Sequence, residues 1–183
     1  MEKSTIAILI GMAISFLGQQ SWADSDWHER LAADKAKIGI TDAVKLVKEK
    51  YNGEIIDIEI DDFKNSVVYE VKFIDIQNKR KVKLKIDMNT GAILKEKSRR
   101  VLFWNKEDNA EYLASKSVRE NNFGLLEAID MVQQQIDGKV SKAELKHKIG
   151  ITVIEVEMLT KNGIEKMVVD VSDRKIITHA AID

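Results

Sequence analysis

ITDAVKLVKEKYNGEII, residues 40–56, places apolar side chains at Ile40, Ala43, Val44, Val47 and Tyr51. That spacing is one face of an α-helix. Thr41 can serve as N-cap, and Asn52-Gly53 is a helix stop. Working outward, LLEAIDMVQQQIDGKV at residues 125–140 repeats the pattern 85 positions later, with Leu125, Ala128, Ile129, Val132 and Ile136 on the face. Asp137-Gly138 stands where Asn52-Gly53 stood. Five matched face positions and a matched stop predict an internal repeat.

Strand signals follow each helix. Ile56, Ile58 and Ile60 alternate with Asp57, Glu59 and Asp61, the period of a strand with one wet face. Val67, Tyr69, Val71 and Phe73 form a second alternating set, and Val82, Leu84 and Ile86 a third. The later half offers strands at Val140–Leu145, Ile151–Leu159 and Glu165–Val171. Tyr69-Glu70-Val71 aligns with Ile154-Glu155-Val156 at offset 85, and Asp87 with Asp170 at offset 83, so the hairpin between is two residues shorter. Gln77-Asn78 and Asn162-Gly163 are its turns. Ala92–Lys95 and Lys175–Thr178 supply a last short strand in each half.

Each unit is therefore a helix followed by an antiparallel meander, with the helix stripe covering the apolar face of the sheet. A unit of about 60 residues is near the lower limit for a self-sufficient core, so the two units are expected to pack on each other or to share the segment between them. The sequence leaves open whether their sheets join. Residues 97–122 connect them: Lys97, Arg99 and Arg100, then Val101-Leu102-Phe103-Trp104, then a helical stretch from about Lys106 to Val118. Four consecutive large apolar residues predict an interdomain strand or brace. An exposed partner anchor at Phe103 and Trp104 is the sharper alternative. Asp26 and Glu29 have capping-box spacing, which adds a short helix over Asp26–Ile38.

The amino terminus reads as an address. Lys3 precedes the apolar run Ile6–Leu17, and Ser21-Trp22-Ala23 has the small-x-small pattern of a signal-peptidase site. Twelve apolar residues span about 18 Å, short of a bilayer core of about 30 Å. The domains are thus a signal peptide at 1–23, a first unit at 24–96, a connector at 97–122 and a second unit at 123–183. The expected location is periplasmic, with a cut after Ala23 and no stable membrane insertion afterwards. The absence of Cys removes disulfides, thiol nucleophiles and Cys-ligated metals.

Lys plus Arg number 29 against 30 Asp plus Glu, a net charge of −1. That balance excludes a dedicated nucleic-acid binder. Lys79, Arg80, Lys81, Lys83 and Lys85 form a basic run. Lys81, Lys83 and Lys85 alternate with apolar residues, so they read first as a wet strand face that discourages edge pairing. The alternative is an anion-binding or partner-steering patch joined by Lys95 and Arg99. Asp57, Glu59, Asp61 and Asp62 read as a solvated carboxylate row, with a weak cation site as the minor option. His28, His147 and His179 have no metal-ligand spacing. Asp87-x-Asn89-x-Gly91 mimics a calcium loop, but Ser98 stands at its twelfth position. No nucleophile-elbow or phosphate-loop motif occurs, so no catalytic residue, metal or cofactor is assigned.

The order of motifs, with Tyr69-Glu70-Val71 and the closing Asp87-x-x-Thr90-Gly91 as its clearest marks, resembles the PepSY domain. The resemblance covers Ile40–Glu96 and Phe123–Ala180. The second copy keeps Val169-Asp170-Val171 and departs at Asp173-Arg174. It implies an α+β fold of two units, each one helix packed on a three- to four-stranded antiparallel sheet of cystatin-like architecture. It also implies a non-catalytic binding module, related to propeptides of thermolysin-like metallopeptidases, that binds or inhibits a peptidase or other envelope protein. A homodimer is compatible with it. The competing expectation is a small-ligand or ion sensor accessory to an envelope signalling system.

Overall fold

The structure, a computed structural model, describes residues 31–182, with side chains to Ile177. The signal-peptide reading, His28 and the start of the Asp26–Ile38 helix fall outside these residues, as does the side chain of His179. Residues 31–35 are helical. There follow α1 (Ile40–Lys50), β1 (Glu54–Phe63), β2 (Ser66–Asp75), β3 (Arg80–Asp87), β4 (Ile93–Arg100), α2 (Lys106–Asn121), α3 (Leu125–Gln133), β5 (Lys139–Lys148), β6 (Ile151–Thr160), β7 (Gly163–Asp170) and β8 (Lys175–Ile182).

The strands form one antiparallel eight-stranded sheet in the order β4-β3-β2-β1-β5-β6-β7-β8. The join is β1 on β5, where Ile58 stands opposite Ala143 and both are fully buried. Val71, Leu84, Ile154, Val156 and Val169 continue the apolar face on both sides of the join. The buried stripes of α1 (Ile40, Ala43, Val44, Val47) and α3 (Leu125, Ala128, Ile129, Val132) belong to the same continuous core.

Irregularities recur at matched positions. Register slips between Ile55 and Asp57 in β1 and between Val140 and Lys142 in β5, again 85 positions on. Each shift is a bulge that bends its strand. The β3–β4 shift at Lys85/Ile86 and the β7–β8 shift at Val168/Val169 are 83 apart. At Gly53 an added Cβ would meet the Phe73 ring at 2.5 Å and the Ile74 carbonyl oxygen at 3.0 Å; at Gly138 it would meet the Leu159 carbonyl oxygen at 2.6 Å. These glycines let the helix exit run against the next hairpin. Gly53→Ala and Gly138→Ala are each expected to lose about 1–3 kcal/mol by overpacking, read by urea denaturation. A loss under about 0.5 kcal/mol at both would contradict this packing.

Three local expectations are corrected. The N-cap of α1 is Gly39, whose N–H donates to the Asp42 carboxylate at 3.4 Å. Thr41 lies inside the helix, facing Gln133. The counterpart at α3 is Gly124 N–H donating to Glu127 at 2.8 Å. β4 runs to Arg100, so Lys97 and Arg99 belong to a strand rather than to the start of a connector. Val101–Trp104 is a turn rather than a strand or brace: Val101 is buried, but Phe103 is 44% and Trp104 83% exposed. The chain must turn there because Asn105 caps α2 through Asp108 N–H and the Asp108 carboxylate accepts from Leu102 N–H at 2.9 Å.

Candidate functional site

The face of the sheet opposite α1 and α3 is built from charge. Two rows of side chains cross it in register. One runs Lys97, Lys83, Lys72, Asp57, Glu144, Glu155 from β4 to β6. The next runs Lys95, Lys85, Glu70, Glu59, Lys142, Glu157, Lys166 from β4 to β7. The first row is basic on β4, β3 and β2 and acidic on β1, β5 and β6. Carboxylates in mid-sheet therefore have lysines on neighbouring strands, and α2 lies over part of the face by packing on β5, β1 and β2.

Glu70, on β2 and 4% exposed, is the hub. Its carboxylate accepts from Lys83 at 2.6 Å and Lys85 at 2.5 Å, with Lys72 at 3.4 Å. Burial alone would raise its carboxyl, but the hydrogen bonds and charges of Lys83 and Lys85 outweigh burial and hold it at about 2. Lys72 reaches Asp57 at 2.5 Å and Glu59 at 3.6 Å. Asp57 behaves differently. It is 6% exposed, its Oδ1 has no hydrogen-bond partner, and burial pushes its carboxyl up to about 6 against the pull of Lys72. The lysine is pushed up by the same pairing, outweighing its own desolvation. The pair thus keeps a firmly charged ammonium beside a carboxylate that burial penalises.

The predicted residues fall on this face with corrections. Lys81, Lys83 and Lys85 share it, but only Lys83 is exposed; Lys85 is buried against Asp61 and Glu70, and Lys81 pairs with Glu111 at 2.5 Å. Lys79 lies in the β2–β3 turn and Arg80 opens β3: the Lys79 ammonium lies 5.8 Å from the Phe103 ring, and Arg80 donates to Ser98. Asp57, Glu59 and Asp61 are not a solvated row, since each is paired to lysine. Asp62, one residue on, falls on the opposite side of the alternation. His147 is the penultimate residue of β5, its Nδ1 2.8 Å from the Thr152 hydroxyl.

The sequence motif residues have structural work. Tyr69 is buried and its hydroxyl donates to the Ile38 carbonyl at 2.8 Å, tying the entry of α1 to the sheet. Val71 is core. Asp87 accepts from the N–H groups of Asn89 and Thr90 and from the Thr90 hydroxyl, which shapes the β3–β4 turn. Gly91 closes it at φ +71°, and a Cβ there would lie 2.9 Å from Leu46.

A cavity of about 630 Å³ lies on the charged face beside β4, lined by Lys72, Lys81, Lys83, Lys97, Arg99, Ser98 and Glu107. Sequence reasoning missed Lys72 and Lys97 as members, although Lys95, Lys97 and Arg99 already show the two-residue period. Arg99 pairs bidentately with Asp108, which is held at about 2 chiefly by that hydrogen bond. Lys97 has no ion-pair partner among the described residues. A neighbouring cavity of about 360 Å³ includes Asp57, Lys72, Glu111, Glu144 and His147.

Residues 37–97 match the family model described as "Peptidase propeptide and YPEB domain", PepSY. The matched stretch resembles a PepSY domain. It holds α1, β1, β2, β3 and most of β4, and thus the Glu70 hub and the lysines around it. Among solved structures, a lipoprotein candidate of Clostridium difficile 630 (CD1622) is 21% identical over 83% of this chain and 98% of its own, with a TM-score of 0.45. The YpmB protein from Bacillus subtilis is 18% identical over 79% of this chain and 98% of its own, with a TM-score of 0.27. No curated protein matches the chain. Among the described residues no helix is long and apolar enough to cross a membrane.

Proposed function

We propose that the chain is a non-catalytic, exported binding module of two PepSY-like units in tandem, which engages and inhibits a peptidase or another envelope protein. The observation that carries this reading is the PepSY match, whose family description names peptidase propeptides. Support for a second unit at 123–183 comes from the matched helix caps, bulges and close-packed glycines at offset 85. Support for action by contact comes from the chemistry of the charged face, whose carboxylates are spent on lysines. Export rests on the Ile6–Leu17 run and Ser21-Trp22-Ala23.

The chain beginning at Asp24 is to be added to exported zinc metallopeptidases while peptide hydrolysis is followed. Slowed hydrolysis at near-stoichiometric concentration, with a stable complex on size exclusion, is expected. Unchanged hydrolysis across such a panel and no complex would remove the reading. The lysine-lined cavity favours a second reading, a sensor of small anions. Calorimetry with anionic metabolites and divalent cations separates the two.

A further inference from the structure

Lys72, Lys83 and Lys97 stand side by side on β2, β3 and β4, and Lys81 stands opposite Arg99. Like charges directly opposite one another across strands are destabilising. The chain tolerates this only in part by pairing. Lys72 has Asp57, Glu59 and Glu70, Lys83 shares Glu70 with two other lysines, and Lys97 has none. The unbalanced end of the row opens into the cavity of about 630 Å³.

The same end of the sheet is an open edge. β4 pairs with β3 on one side, and no strand among the described residues lies on the other. From Leu94 to Arg100 every residue is exposed. An eight-residue edge is a template for strand addition. Its side chains select the partner: Lys95, Lys97, Arg99 and Arg100 against Glu96. A second copy of β4 would be repelled, and an acidic strand would be drawn in.

We propose that the β4 edge and the lysine-lined cavity beside it form one acceptor for an extended acidic peptide segment of the partner protein. The edge would supply main-chain hydrogen bonds, and the cavity would take a carboxylate side chain at Lys97, flanked by Lys83, which shares Glu70, and by Arg99, which Asp108 already holds. This rests on the reading that the chain binds a protein. It adds the face used and the chemistry of the segment received.

The probe is a fluorescein-labelled, N-acetylated octapeptide alternating Glu and Thr, titrated against the chain from Asp24 and followed by anisotropy. Binding is expected to fall at least tenfold with Lys97→Glu, with N-methylation of alternate peptide residues, and on raising NaCl from about 50 to 500 mM. A peptide alternating Lys and Thr is expected not to bind. Lys97 is exposed and lacks an ion pair, so circular dichroism and the melting temperature of the variant should match the parent. Lys97→Ala, expected to weaken binding less than Lys97→Glu, checks that charge is the cause. Equal binding by Lys97→Glu or by the N-methylated peptide would overturn the acceptor. Displacement by free glutamate or inorganic phosphate at the peptide's own concentration would also overturn it, in favour of a small-anion site. Peptidase inhibition left intact by Lys97→Glu would overturn the acceptor while the inhibitor reading stands. Peptide binding with no peptidase inhibited would sink that reading and leave the acceptor.

Discussion

Replacing Ile58 with Ala should destabilise the entire chain by about 3–4 kcal/mol, within a single unfolding transition. Ile58 is fully buried on the core side of the sheet, opposite Val71 on β2 and Ala143 on β5. Large-to-small substitutions at buried aliphatic sites cost about 2–5 kcal/mol, more where neighbours cannot close the cavity. Here the flanking partner across the join is already a small Ala with no volume to give. The cost should be felt on both sides because the core under α1 continues under α3 without a break. Denaturation followed by circular dichroism and by amide hydrogen exchange in each half should therefore give coincident curves, shifted together. Two transitions, with only one displaced, would mean that the halves fold independently and that the β1–β5 join is incidental. Ile177→Ala, at a position 55% exposed, is the control and should change stability by less than about 0.5 kcal/mol.

The helices, the meanders and their offsets were legible because amphipathic period survives in the sequence whatever the tertiary context. The 40–50 and 125–133 stripes name the residues that are buried, and the shorter second hairpin has two turn residues where the first has four. Burial of charge was not legible. Alternation shows that Asp57 and Lys85 leave the apolar face, but it cannot tell water from a lysine or carboxylate brought from another strand. Lys85 meets Asp61 and Glu70, 24 and 15 positions away in sequence. The bulge after Ile55 and the cover provided by α2 then decide that Asp57 is buried. Trp104 shows the opposite error. Four apolar residues in a row suggested a buried brace, yet the caps around Asn105 and Asp108 set the turn and leave the indole in water.

The candidate site was half legible for the same reason. Lys81 and Lys83 were found from their period and Arg99 was joined to them, whereas Lys97 was left in the connector because the last strand was read as ending at Lys95. Lys72 carries the same signal as its neighbour Glu70, both standing at the polar positions of the Val67–Phe73 alternation. What no single strand could reveal is that Glu70 collects three lysines, since two of them, Lys83 and Lys85, arrive from β3 through its register with β2.

Glu70 is also where electrostatics should have its largest measurable effect. Glu70→Gln keeps the shape and one accepting oxygen but removes the charge that Lys72, Lys83 and Lys85 share. Breaking a buried pair from one side costs about 3–5 kcal/mol. Lys83 is open to solvent, and screening there reduces the expected loss to about 2 kcal/mol at pH 7. The pH dependence identifies the cause. The folded carboxyl sits at about 2 against an ordinary 4.5, so its contribution is fully present above pH 4.5 and disappears as pH falls through 2. The stability difference between parent and Glu70→Gln should be flat from pH 8 to about 5, shrink below 4.5 and vanish near 2. Asp57 carries the opposite sign. Its carboxyl is raised from 3.8 to about 6, so the folded state binds the proton more readily and gains stability as pH falls from 6 towards 3.8. Asp57→Asn should flatten that limb and leave the Glu70 limb in place. Urea denaturation of parent and both variants at unit pH steps tests both. A Glu70→Gln difference that persists undiminished at pH 2 would assign its effect to packing and remove Glu70 as the electrostatic hub of the lysine face.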